Sequence, residues 1–299
     1  MRTRTLGPLQ VTVVGLGCNN FGGRIDEDAS HAVIDAALDA GITFLDTADI
    51  YGNKGGSESI IGRSLAGRRD RVVLATKFGK EMGDGATRRG SRDYILRALD
   101  ASLGRLQTDV IDLYQHHEED PETRLEETIA ALDALVDEGR IRAYGTSNYA
   151  PGTLRRAKAI AGPGYVSEQS EYSLLHRDPE AELLPACREL GLGFIPFFPL
   201  ASGLLTGKVS RETPPQPGTR LHGREISDAQ LDEVERLRTE AEQQGLSLLE
   251  LAIGTLLATE PVVSVIAGAT KPEQVRANAA AGQTVSSTRL PSGSSTTAS

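Results

Sequence analysis

Short apolar runs recur eight times along the chain, at 11–16, 42–45, 72–76, 110–114, 141–145, 165–167, 193–197 and 263–267. Turn or polar residues bound each of them, as they bound strands that are buried on both faces. Amphipathic stretches lie between the runs. Over 29–40, apolar residues fall at Ala29, Ala32, Val33, Ala36, Ala37 and Ala40, the three-and-four spacing of one helical face, and Gly41 follows as a stop. Helices are predicted next over 57–65 and over 92–103, the latter with Ser91 as N-cap. The stretch 125–137 carries Leu125, Ile129, Leu132 and Val136 on one face and stops at Gly139. Five more helical segments follow at 151–161 (Pro at its start), 180–190, the pair 228–244 and 247–258, and 272–281.

Strand then helix, repeated eight times, predicts an α/β fold closed as a (β/α)8 TIM barrel, a single domain over residues 1–282. An open doubly wound sheet also alternates, but it would place G-x-G-x-x-G after its first strand. Here that strand runs into Gly15-Leu16-Gly17-Cys18-Asn19-Asn20-Phe21-Gly22-Gly23, and the spacing fails. Leu6-Gly7-Pro8 is a turn signal, so residues 2–10 are expected in a small hairpin. The segment 283–299, QTVSSTRLPSGSSTTAS, is rich in Ser and Thr without helical period and is expected to be a disordered tail.

Composition narrows the classes. The chain has 299 residues, of which 39% are hydrophobic and 24% charged, enough for a sizeable core. A net charge of -9 argues against nucleic acid or an anionic membrane as partner. Two distant cysteines, Cys18 and Cys187, make no disulfide framework and fit a reducing compartment. No apolar run approaches the ~20 residues that span a bilayer, and residues 1–15 lack a signal-peptide core and cleavage site. A cytoplasmic protein acting on a small molecule is expected, as a monomer or a homo-oligomer.

In such a barrel, chemistry sits at the C-terminal ends of the strands. The second strand ends in Asp46, with Tyr51 in the loop beyond; the third ends at Lys77 and the fourth at His116 and His117. These types suit proton delivery to a carbonyl oxygen. A nearby Lys cation lowers the pKa of a phenol, a carboxylate keeps the Lys charged, and an imidazole donates a hydrogen bond. Each residue also has a structural reading. Asp46 can be a cap, Lys77 a snorkelling surface lysine, Tyr51 a rim tyrosine and the histidines solvated loop residues. Four such residues on three successive strand ends outweigh those readings taken singly.

The sequence here resembles the aldo-keto reductases, over about residues 3–282. The resemblance rests on DAGITFLDTADIYGNKGGSESIIGRSL at 39–65, LATKFG at 74–79 with DVIDLYQHH at 109–117, GTSNY at 145–149, PLASGLLTGK at 199–208 and IAGATKPEQVRANAAA at 266–281. It is nearest to the bacterial branch that is also similar to potassium-channel β subunits. It implies NADPH-dependent reduction of aldehydes or ketones, with Tyr51 as general acid, Lys77 and Asp46 tuning it and His117 orienting the carbonyl. The family's D-L-Y-x-x-H selects His117 over His116, and period-two alternation puts the two on opposite faces. Ser147, Asn148 and Gln169 would hold the nicotinamide carboxamide and Phe197 would stack on the ring, while Asp46 also reaches the ribose. Backbone N–H groups of Leu200, Ser202 and Leu204, with Lys208, would take the pyrophosphate. Loops after the last two barrel strands are recurrent phosphate sites, so Gly268 belongs with them. Thr270, Lys271 and Gln274, at a helix N-terminus, would meet the adenosine 2′-phosphate and Asn278 the adenine. Lys271 favours NADPH, while the Gln at 274 leaves NADH use open. Asn20, Phe21 and Tyr149, with Met82, would line the substrate pocket. No metal is implied. Two departures stand out: the family's last helix and C-terminal loop give way to the Ser/Thr-rich segment, and Trp is absent. Two other readings use the same residues. One is a regulatory cofactor-binding module like a potassium-channel β subunit. The other is a metal-dependent barrel hydrolase built on Asp46, His116 and His117, which leaves Lys77 and GTSN without a role.

Overall fold

A computed structural model of the chain describes residues 1–284. It opens with an antiparallel hairpin, β1 (Thr3–Leu6) and β2 (Leu9–Thr12), across the Gly7-Pro8 turn. Eight parallel strands follow: β3 (Val14–Gly17), β4 (Phe44–Asp46), β5 (Val73–Phe78), β6 (Ile111–His116), β7 (Ile141–Ser147), β8 (Tyr165–Glu171), β9 (Gly193–Phe197) and β10 (Val265–Gly268). They are ordered β10-β3-β4-β5-β6-β7-β8-β9. Beside β10, Phe194 N–H donates to Pro261 O (3.0 Å) and Val263 N–H to Phe194 O (2.9 Å), which nearly closes the ring. Around it lie α1 (Glu27–Asp39), α2 (Tyr51–Ser64), α3 (Arg92–Leu106), α4 (Leu125–Asp137), α5 (Pro151–Ile160), α6 (Leu183–Leu190), α7 (Asp228–Gln243), α8 (Leu248–Ala258) and α9 (Pro272–Thr284). This is the (β/α)8 barrel that the alternation of runs predicts.

The expected strand over 11–16 is two strands. Val11 and Thr12 pair with Arg4 and Thr3 in the hairpin, and the barrel strand begins only at Val14. Thr12 makes the corner: its hydroxyl donates to Val14 O (2.8 Å) and accepts from Thr43 and Phe44 N–H (3.2 Å each), satisfying the start of β4. Several strands run past their apolar limits into polar residues, to Phe78, His116, Ser147 and Glu171, because that backbone is still paired with a neighbouring strand. Glu180 belongs to a 3-10 turn (Asp178–Glu180) and α6 starts at Leu183. Of the expected tail, Gln283 and Thr284 are the end of α9, where Thr284 donates to Glu250 Oε1 (3.1 Å); the remaining 285–299 lie outside the described residues.

The hairpin positions the site by occupying the other end. Leu6, Leu9 and Val11 pack with Phe44, Ala75, Leu113, Ile195 and Ile266 inside the barrel, so its N-terminal mouth is plugged with apolar side chains. Arg2 donates to Gly282 O (3.1 Å), and Arg4 to Val262 O (2.5 Å) and Leu257 O (2.7 Å), which clamps the plug to the last elements of the fold. Gly7 turns at φ +55°, and a Cβ there would lie 2.3 Å from Val166 Cγ1. Gly7→Ala is therefore expected to cost about 1–3 kcal/mol through strain and overpacking. Urea denaturation checks this: the midpoint should fall with the slope unchanged, and an unchanged midpoint would show that the plug does not seal.

Candidate active site

The open end of the barrel gathers the strand-end residues. Asp46 ends β4, and its side chain and that of Lys77 on β5 are 5% and 1% exposed, a buried ion pair at 2.5 Å. Lys77 Nζ also donates to Thr47 O (2.9 Å). The other carboxylate oxygen of Asp46 accepts from Gln115 (3.1 Å) and Gln169 (3.0 Å), and Gln169 also donates to Gln115 Oε1 (3.2 Å). Both carboxylate oxygens of Asp46 therefore have donors, which offsets the desolvation that a buried pair suffers. Above it, Lys77 Nζ lies 5.3 Å from the centre of the Tyr51 ring, and Tyr51 meets His117 edge to face at 5.9 Å.

Local sequence holds Tyr51 there. Asp49 N–H donates to Lys77 O (3.0 Å), and Thr47 and Ser57 share a hydroxyl bond (2.8 Å) on either side of the loop. Directly after Tyr51, Gly52, Asn53, Lys54 and Gly55 all have positive φ (66°, 60°, 66° and 108°), a left-handed turn that reverses before the helix proper. A Cβ at Gly52 would lie 2.5 Å from both Phe21 O and Ser57 N, so the turn and the close approach both require glycine. Behind the loop, fully buried Glu58 accepts from Thr76 (2.5 Å) and from Arg105 Nε (2.7 Å), tying α2 to β5 and α3.

Burial governs the titrations. It raises the Tyr51 pKa above the ordinary phenol value, outweighing the Lys77 charge, which lowers it, so the lowered Tyr51 pKa expected from the sequence does not survive the loss of water. Burial opposes the charged form of Lys77, but Asp46 and Tyr51 outweigh it and its pKa is raised. Burial, then Lys77 and Lys80, push His117 down to about 2. Asp49, two residues before Tyr51, is pushed up to about 7 by burial and by Glu58. The two histidines separate as alternation requires. His117 reaches the mouth, whereas His116 stacks on Phe78 (4.9 Å) and bonds Tyr149 Oη through Nδ1 (2.8 Å) behind the strand. A ligand trio of Asp46, His116 and His117 is therefore not assembled, and among the described residues no group of three or more His, Cys, Asp or Glu side chains is placed to hold a metal.

With burial pushing its pKa this low, His117 is neutral through the neutral range. The kcat/KM profile should show no break near the usual imidazole value of about 6.5. A break there that vanishes in His117→Gln would refute the assignment.

A second group of residues lies along the same rim. Ser147 ends β7; Asn148 follows at φ 61°, exposed, with Nδ2 donating to His117 O and Ser147 Oγ (3.0 Å each) and its N–H to Gln169 O (3.0 Å). Phe197 ends β9, two residues on from the barrel-facing Ile195, and is half-buried. The next loop carries positive φ at Phe198, Ala201, Ser202 and Gly203; Ala201, Gly203 and Leu205 donate N–H to carbonyls within the loop, whereas the candidate donors are Leu200, Ser202 and Leu204. The Leu204 side chain itself is core. Lys208, Gly268 and Lys271 are exposed, and Asn278 is buried at 5%. Gln274 is turned back on Thr270, accepting its N–H (2.7 Å) and hydroxyl (3.2 Å), so it caps α9, and among the described residues the exposed Lys271 beside it has no ion-pair partner.

The expected substrate-pocket residues differ in their placement. Phe21 is fully buried in the core, and the 2% exposed Tyr149 spends its hydroxyl on His116. Asn20 donates to Ala269 O (3.1 Å) and accepts from Arg220 (2.9 Å), which places it on the Phe198 side of the rim. Met82 is half-buried on the loop after β5. Three site residues were not singled out from sequence. Gln115 is a polar residue on the inward face of β6, a signal that alternation carries. Glu168 interrupts β8 as its one fully buried charge. Arg220 comes from the long loop before α7, packs over Phe198 (5.2 Å) and contacts Asn19 (3.2 Å) as well as Asn20, and no short-range signal marks it.

A nearly closed parallel barrel thus carries this buried pair beneath a tyrosine and a histidine at its open end, and the comparisons with known proteins give the class of protein to which such a barrel belongs, the oxidoreductases. The profile of the aldo/keto reductase family matches residues 13–289, and the chain belongs to that family. It is 41% identical to the uncharacterized oxidoreductase YrpG of Bacillus subtilis over 288 residues, 90% of this chain and 86% of that protein. It is 36% identical to a probable voltage-gated potassium channel subunit beta of Oryza sativa subsp. japonica over 274 residues, 86% and 83% of the two chains. The holo form of the aldo-keto reductase AKR11C1 from Bacillus halodurans superposes with a TM-score of 0.81 at 37% identity, covering 97% of this chain and 93% of that one. Family membership supports oxidoreductase activity with a nicotinamide cofactor. Among the described residues, no helix is long and apolar enough to cross a membrane.

Proposed function

We propose that the protein reduces aldehydes and ketones with NADPH, Tyr51 giving the carbonyl oxygen its proton. The observation that most supports this is the buried Lys77–Asp46 pair beneath a tyrosine that keeps its proton, beside a neutral histidine. The donor set suits a dinucleotide. Among the described residues Arg220 hydrogen-bonds the amide oxygens of Asn19 and Asn20 and packs over Phe198 without meeting a carboxylate, so its charge would serve a pyrophosphate, together with Lys208 and the N–H groups of Leu200, Ser202 and Leu204. Ser147, Asn148 and Gln169 would hold the nicotinamide carboxamide, Phe197 its ring, and Lys271, with Thr270, the 2′-phosphate. Gly268 would let the cofactor approach the backbone closely, and Asn278 would meet the adenine.

When bound, the nicotinamide supplies the hydride. The chain supplies the proton and the field. His117 donates a hydrogen bond to the carbonyl oxygen from its N–H and, being neutral, does not compete as an acid. As the Tyr51 proton leaves, the phenolate that forms is favoured by Lys77, whose stabilisation therefore grows along the reaction rather than before it. Asp46 keeps Lys77 charged and in place, and the two glutamines keep Asp46 from turning.

Calorimetric titration with NADPH and, separately, NADH tests the cofactor. Lys271→Ala should weaken NADPH about tenfold, the loss of one charge-assisted contact, and leave NADH nearly unchanged. An equal loss for both would remove Lys271 from the 2′-phosphate, and failure of the unaltered protein to bind either nucleotide would overturn the reductase reading. The rice relative keeps open a cofactor-binding regulatory module; carbonyl-dependent oxidation of NADPH across a substrate panel separates the two.

A further inference from the structure

We propose that Glu168 is a positioning residue: from behind the barrel wall its carboxylate holds the turn at Ser147 and Asn148 in the shape that presents their side chains at the mouth. The inference rests on the reading of those two residues as partners of the nicotinamide carboxamide.

Glu168 lies on β8 and is fully buried. Its partners are neutral donors: Tyr149 N–H (3.1 Å) and Ser170 Oγ (2.8 Å) on one oxygen, Thr146 Oγ1 (2.5 Å) on the other. An apolar side chain of this size would avoid the desolvation that a carboxylate suffers here. What the carboxylate does instead is collect donors, and two of them flank Asn148. Thr146 precedes it by two residues and Tyr149 follows it, so one side chain grips the turn on both sides. The turn needs holding, because Asn148 sits at φ 61°, a left-handed conformation that non-glycine residues enter at a cost. Its exposed side also joins the two halves of the site, through Nδ2 to His117 O and its N–H to Gln169 O. The far end of Tyr149 is anchored by His116 Nδ1 (2.8 Å), and Thr146 is braced by the Tyr165 hydroxyl (2.7 Å). His116 and Tyr149 thus act as struts behind the wall.

Glu168→Leu removes the acceptors and leaves the buried Tyr149 N–H unmatched. Its effect is read with two ligands on the purified full chain: NADPH, and 2′-phospho-ADP-ribose, which has every part of NADPH except the nicotinamide. The leucine variant should bind NADPH about tenfold or more weakly, the scale of one orphaned buried donor, and bind the fragment nearly as the unaltered protein does. Glu168→Gln, which keeps an acceptor oxygen for the Tyr149 N–H, should recover most of the NADPH affinity. KM for NADPH should rise more than kcat falls. Should the leucine variant fail to fold, Thr146→Val removes one of the grips without altering the carboxylate, and should show the same ligand selectivity at smaller amplitude. Equal weakening of both ligands, or unchanged affinity for both, overturns the positioning role. An unaltered protein that binds neither ligand overturns instead the cofactor reading beneath it.

Discussion

Tyr51→Phe is expected to lower kcat for carbonyl reduction by ~10²–10⁴, the usual worth of a positioned general acid, while NADPH affinity stays nearly constant. Phenylalanine keeps the edge-to-face contact with His117 at 5.9 Å and the approach of the ring to the Lys77 ammonium at 5.3 Å. Only the hydroxyl is lost, so melting temperature should hold. The pH dependence has a definite sign. Burial raises the Tyr51 pKa, so the phenol carries its proton throughout the neutral range. Reduction uses the protonated form and should be level with pH until the alkaline limb. Alcohol oxidation by the same site needs the phenolate and should climb with pH. Stopped-flow turnover in both directions checks this, and a variant that still turns over but no longer holds NADPH would remove Tyr51 from the chemistry.

Lys77→Met should be damaging in two separate ways. The ammonium is 1% exposed and its partner carboxylate 5% exposed. Without the lysine, Asp46 stays buried with only the amides of Gln115 and Gln169. Breaking one side of such a pair costs about 3–5 kcal/mol. Turnover should also drop by about 10²–10³, the scale for removing a preorganised group that stabilises developing negative charge. The two losses come apart in the double variant Asp46→Asn with Lys77→Met. Replacing both charges relieves the uncompensated carboxylate, so most of the stability should return. Activity should not, because no cation remains to favour the phenolate. A double variant that recovers turnover would show that Lys77 acts only as a structural partner of Asp46.

Much of this was legible in the chain because buried parallel strands are nearly continuous apolar runs. What blurred was their ends. Thr76-Lys77-Phe78 and Gln115-His116 look like the start of loops because polar residues interrupt the run, yet the backbone stays in the sheet; Lys77 and Gln115 meet through Asp46 in the mouth, while Thr76 and His116 find Glu58 and Tyr149 behind the wall. At the other end, Val11 and Thr12 look like barrel strand because nothing local marks the corner that the Thr12 hydroxyl makes. The convergence of Asp46, Tyr51, Lys77 and His117 could be foreseen, since a barrel brings strand ends to one mouth, and alternation separated His116 from His117. The burial of Phe21 and Tyr149 could not. An aromatic beside a site motif looks the same on paper whether it faces the mouth or the wall, and the difference here is a histidine 33 residues earlier that takes the tyrosine hydroxyl. Arg220 lies 200 residues from its partner Asn20, beyond the reach of any spacing rule.

The clamp between the hairpin and the last elements has a consequence for how the chain reaches its fold. Arg2, Arg4 and their acceptors are separated by 280, 253 and 258 residues, and β3 finds its second neighbour only in β10. During synthesis the first strand made therefore waits for the last, and every shorter nascent chain is an open half-barrel with two bare sheet edges, the state most exposed to misassembly. Closure is a late, long-range event, and folding should be slow for the protein's stability. The same adjacency makes the sequence order of the barrel close to arbitrary. A chain that joins residue 284 to residue 1 through a short linker and opens at an exposed loop on the plugged face would complete the same ring from a different starting strand.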